Sequence, residues 1–114
     1  MFKVYYIVLA ESIRKDLEFI PKKHHSSIRE AIQTQLTNEP TLETINRKPL
    51  TAPIQSATWE LRCGEQNRYR VLYEVTNNDD NDTEIIEILG IVEVLAIGEK
   101  RLEKLLIQGR EVKP

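Results

Sequence analysis

A chain of 114 residues is the length of one domain and buries enough surface to hold a single core without disulfide staples. Its 40% hydrophobic and 30% charged residues are globular usage, which excludes a disordered or fibrous chain. Sixteen Lys+Arg against eighteen Asp+Glu leave a net charge of −2, a balance that speaks against a general nucleic-acid binder unless the charges are segregated.

Residues 2–9 are β-branched and aromatic and read as a strand. The leading Met-Phe-Lys-Val-Tyr-Tyr has no basic region followed by an apolar run and a small-residue cleavage site, so export is not expected. From Glu11 the period changes, with Ile13, Leu17 and Ile20 at helical spacing. Pro21 interrupts, because a proline cannot donate within a helix but suits a first turn. A second amphipathic helix follows, with Ile28, Ala31, Ile32, Gln35 and Leu36 on one face and Asn38 and Pro40 at its end. His24 and His25 are adjacent, cannot share a helix face, and read as solvated helix residues. The expectation is a two-helix hairpin covering one face of a sheet.

Residues 39–56 carry Pro40, Pro49 and Pro53 with no clear period and read as a long loop holding the basic pair Arg47-Lys48. Ala57–Cys63, the turn Gly64–Asn67 and Arg68–Val75 then read as a β-hairpin. Alternation puts Trp59, Leu61, Cys63, Tyr69, Val71, Tyr73 and Val75 on the face beneath the helices. The other face receives Thr58, Glu60, Arg62, Arg68, Arg70 and Glu74. Like charges placed directly opposite destabilise a sheet, so three gathered arginines need a reason. Glu60, Glu65 and Glu74 can neutralise them.

Residues 76–92 hold Asp79, Asp80, Asp82, Glu84 and Glu87 and no basic residue. Without those five, sixteen basic residues face thirteen acidic ones, a net of +3. The acidity is partly one segment's property. Residues 84–97 read as a central strand in which Gly90 marks a bulge or break. Glu87 and Glu93 interrupt the apolar run Ile85–Ile97, which is too short to span a bilayer. Gly98-Glu-Lys-Arg101 brings two cations to the strand's end. Residues 99–107 fit a short helix, while Leu105–Ile107 could equally begin a last strand. One cysteine, Cys63, excludes an internal disulfide, fits a reducing cytoplasm and reads as a small apolar filler. No metal-ligand cluster and no glycine-rich phosphate loop appears, so neither a metal nor another cofactor is expected.

A strand, two helices, a loop and an antiparallel meander make an α+β domain over residues 1–114: an N-terminal strand, a helical hairpin packed on a small, mainly antiparallel twisted sheet, and a short C-terminal helix or strand. Arg47-Lys-Pro-Leu50, Trp59-Glu-Leu-Arg62, Arg68-Tyr-Arg-Val-Leu-Tyr-Glu-Val75 and Val94-Leu-Ala-Ile-Gly-Glu-Lys-Arg101 together resemble the RelE/ParE toxins of type II toxin–antitoxin modules. The resemblance covers almost the whole chain. It implies a cytoplasmic toxin that cleaves mRNA in the ribosomal A site without metal, using the RNA 2′-OH as nucleophile, and that binds an antitoxin encoded nearby. The ParE branch would instead inhibit DNA gyrase, and a third possibility is a degenerate member that only binds its antitoxin. On the same resemblance Arg70 and Arg101 are the catalytic cations and Glu60 a candidate base. Arg47, Lys48, Arg62, Arg68 and Lys100 then contact RNA. Thr58 and Glu60 stand where the RelE type has two lysines, and Leu105, Leu106 and Ile107 stand where it has a tyrosine. No residue is assigned as the general acid.

Overall fold

The computed structural model describes residues 2–78 and 86–113, without the side chains of Phe2, Ile86 and Glu87. Asp79, Asp80, Asp82 and Glu84 of the acidic segment therefore lie outside the described residues. Strand β1 (Phe2–Leu9) leads into helix α1 (Ile13–Glu18) and, after a 3₁₀ turn behind Pro21, helix α2 (His25–Leu36). Ile28, Ile32 and Leu36 recur every four residues on α2 and are all buried, the stripe the sequence period implies.

Five strands follow in antiparallel sequence: β2 (Arg47–Ile54), β3 (Ala57–Cys63), β4 (Tyr69–Asn77), β5 (Ile86–Arg101) and β6 (Lys104–Ile107). The two-residue β7 (Arg110–Glu111) closes the chain. The first half of β5 pairs in parallel with β1, and its last three residues pair with β6. Among the described residues the result is an α+β domain with a seven-stranded, mainly antiparallel sheet.

Leu61, Cys63, Tyr69, Val71 and Tyr73 pack beneath the helices with Trp59 and Val75, as alternation requires. The opposite face is not simply solvated. Leu72 and Ala96 are fully buried there against Ile54, Ala57 and Ile107, because β2 and the β6–β7 hairpin curl over it. Hydrophobic patterning of the central hairpin alone could not reveal that cover, since its residues come from both ends of the sheet.

Three further expectations are corrected. Residues 47–54 form a strand rather than a loop, and their burial alternates from Lys48 to Ile54, with buried Arg47 out of phase. Pro49 and Pro53 obscured it, yet β2 is an edge strand, where a missing N–H goes unmissed. Of the two readings of residues 99–107 the short helix is overturned, because Leu102 at φ +54° turns the chain between β5 and β6, and the strand reading of Leu105–Ile107 holds within β6. The histidines are half-buried. His25 Nε2 bonds the carbonyls of Leu17 and Ile20 at 2.9 and 2.8 Å, closing the end of α1, and the His24 ring lies 5.3 Å from that of Tyr69. Gly90 does sit at a bulge. There β5 shifts register against β1, and a Cβ would collide with the Thr76 carbonyl.

β5 also shifts register against β4 at Leu95, and between the ends of β1 and β6 its edge has no strand beside it. Asp16 fills that gap from α1. Its Oδ2 accepts the Ile97 N–H at 2.9 Å and its Oδ1 accepts Gln108 Nε2 at 2.7 Å, with the residue only 2% exposed. Removing a buried acceptor orphans both donors, and charge-assisted bonds are the stronger kind. Asp16→Ala should cost about 2–4 kcal/mol in urea unfolding, and Asp16→Asn distinctly less.

Candidate functional site

Register builds the site. β3 and β4 place Arg62 directly opposite Arg70, a pairing that repels unless something intervenes. Glu60 intervenes. Its Oε1 accepts Arg62 Nε at 2.9 Å and lies 3.9 Å from Arg70 Nε. Arg70 Nη1 also donates to the Asn67 carbonyl, which the left-handed residues Gln66 and Asn67 (φ +56° and +52°) turn toward it. The Glu60 and Arg70 side chains are only 14% and 12% exposed, so this brace is largely sheltered from solvent screening. Burial draws the Arg70 guanidinium below the ordinary arginine value, Glu60 opposes that shift, and Arg62 adds to it.

Across β5, Gly98 is the partner of Arg70. Two residues further, Lys100 lies on the same face, paired with Leu105. A groove of about 330 Å³ results, lined by Glu60, Arg70 and Lys100 over Ile54, Leu105 and Val112, and rimmed by Lys104, Lys113, Glu103 and Glu111. Among the described residues Lys100 makes no ion pair. The arrangement offers a braced guanidinium and a free ammonium to one anion above an apolar floor.

Glu60, Arg62, Arg70 and Lys100 thus come together, and Lys48 joins their row as the strand partner of Glu60, with a 3.9 Å contact to Glu43. Arg101 does not join them. Alternation sends it to the helix-side face, where its Nε donates to Glu99 at 2.7 Å, a bond that raises its pKa. Arg68 precedes β4 and lies with Arg101 near the Tyr69 phenol. Arg47 is buried and gives Nη1 to the Gln35 carbonyl at 2.5 Å, where a cation suits the C-terminal end of α2. That structural use leaves its guanidinium off the groove surface. Parity from Gly98 separates Lys100 from Arg101 once the strand register sets Gly98 opposite Arg70, and the role of Arg47 is likewise visible only in three dimensions.

Among the described residues no group of three or more His, Cys, Asp and Glu could hold a metal, and no helix is long and apolar enough to cross a membrane. No family model, curated protein or solved structure matches the chain.

Cys63 lies under this site. Burial pushes its thiol up to about 11, outweighing the lowering by Arg70. The folded state therefore favours the neutral thiol. Its contribution to stability is complete below about pH 9 and is lost as pH rises through about 11. Native protein at pH 7 should resist alkylation by iodoacetamide, urea-unfolded protein should label readily, and Cys63→Ala should flatten the loss of stability above pH 9.

Proposed function

We propose that the chain is an RNA-cleaving toxin of the RelE/ParE type that acts without metal. The observation carrying this reading is the groove in which Arg70 and Lys100 face one anion while Glu60 holds Arg70 in place. The strand order supports it too: a parallel β1 beside the last long strand of a meander, with both helices on one face. In-line attack by a 2′-OH concentrates charge on the phosphorane, and preorganised cations in a sheltered site stabilise that charge most. Arg70 serves this role.

Glu60 Oε1 is spent on the two guanidiniums, so Oε2 is the oxygen placed to take the 2′-OH proton. Lys100, not Arg101, is the second cation of the groove, and its ammonium can protonate the departing 5′-oxygen. Arg62 and Lys48 hold flanking phosphates, an interaction that weakens with salt. The substrate is mRNA in the ribosomal A site, and the partner that silences the protein is an antitoxin encoded nearby.

Primer extension on mRNA after induction tests this. Arg70→Ala should lower cleavage by about 100-fold or more, the usual cost of one preorganised donor. Lys100→Ala should cost about ten times more than Arg101→Ala. Unchanged cleavage in Arg70→Ala would sink the mechanism. Blocked supercoiling by DNA gyrase with intact mRNA would move the protein to the non-enzymatic branch, and growth unaffected by overexpression would leave it an antitoxin-binding member alone.

A further inference from the structure

Helix α2 is tied down at both ends. Beyond its C-terminal end the Thr37 carbonyl accepts the Tyr5 N–H at 2.7 Å and Asn38 Nδ2 donates to the Lys3 carbonyl at 3.2 Å, which fastens the helix to the outer edge of β1. At its N-terminal end His25 Nε2 holds the carbonyls of Leu17 and Ile20 at the end of α1. Between these two fastenings a cleft of about 270 Å³ runs along α2, lined by residues of β1, α1, α2 and β5.

The cleft is a slot rather than a flat patch. Ile13, Ile28, Ile32 and Ile97 line it although each is buried, so it reaches the core, while the half-exposed Leu9 flanks its opening. Small-molecule pockets begin at roughly 300 Å³, and a helix with its side chains is about 10 Å across, so a slot of this size takes a slender chain and not a folded partner. Its polar groups lie on one side. His25 spends Nε2 on α1, and Arg29 and Gln33 stand one turn apart on α2, both exposed. Among the described residues Arg29 makes no ion pair, and no acidic residue lines the cleft. An aliphatic slot with a guanidinium fork beside an amide donor is the complement of a ligand that is apolar along its length and anionic at one end.

We infer that this cleft is a binding site for an alkyl carboxylate, a free medium-chain fatty acid. The hydrocarbon lies over Ile13, Ile28, Ile32 and Ile97, where each methylene taken from water adds to the affinity. The carboxylate accepts a forked pair of bonds from the Arg29 guanidinium, the geometry that makes such pairs strong, and Gln33 Nε2 supplies a further donor. The cleft lies on the helix side of the sheet and the Arg70 groove on the other, so the two share no lining residue. The inference goes beyond the nuclease reading and does not depend on it.

Octanoate titrated into the purified protein below its micelle concentration, and followed by NMR through the methyl signals of Ile13, Ile28 and Ile97, tests it. Saturable shifts at those methyls are the expected result, with acetate giving none and octylammonium binding at least about fivefold more weakly. Arg29→Gln should weaken octanoate by at least about fivefold, and because Arg29 is exposed the variant should melt within about 2 °C of the parent. Equal affinity for octanoate and octylammonium, undiminished binding in Arg29→Gln, or no saturable shift at these methyls would each overturn the inference. A dimer that octanoate disperses would seat a second copy in the cleft, and binding to phosphatidylcholine vesicles without a response to free octanoate would assign it to a membrane surface. Either result would equally overturn it. Arg70→Ala separates the two proposals, since it should abolish cleavage and leave octanoate binding intact.

Discussion

A single buried carboxylate holds the useful end of this sheet in place. β1 stops short along β5 and β6 begins late, so the stretch around Ile97 would present unpaired backbone to the protein interior. Buried amide donors must be satisfied, and Asp16 of α1 does so while also gripping Gln108 in the turn leading to β7. Ser12 adds a weaker contact to the Leu95 carbonyl at 3.4 Å. Helix, central strand and C-terminal hairpin are thereby locked at one point, a single residue before Gly98 and three before Lys100. The groove depends on that lock because its floor comes from the hairpin and its cation from the strand.

The other organising constraint is charge carried on alternating positions. Arg62 and Arg70 oppose each other across the hairpin, and Glu60 turns a repulsive pair into a braced one. Exposed ion pairs contribute little to stability, but a sheltered pair that fixes a guanidinium's direction serves positioning instead. At the strand end the same alternation separates neighbours. Lys100 and Arg101 are adjacent in sequence and serve opposite faces.

Much of this was legible in the residues. The helix stripe, the hairpin register and the face carrying Trp59, Leu61 and Tyr73 follow from period alone, because burial repeats with the geometry of each element. Strand β2 was not legible, since its prolines imitate a loop unless the strand is known to lie at an edge. The buried uses of Arg47 and Asp16 were equally hidden. Each charged residue is satisfied by a backbone group from a distant element, and nothing in its local sequence marks it as interior. Among the groove residues, Arg70, Glu60 and Lys100 were all singled out from sequence. The choice between Lys100 and Arg101 needed the strand register.

The parallel pairing of Phe2–Leu9 with Ile86–Val94 carries a cost in time. β1 leaves a ribosome well before the β5 strand it pairs with, and contacts so distant in sequence slow folding. Until then β1 and the helices that follow it have no central strand to cover. A nascent chain therefore has no groove, and any activity seated there begins only once β5 and the β6–β7 hairpin have been made.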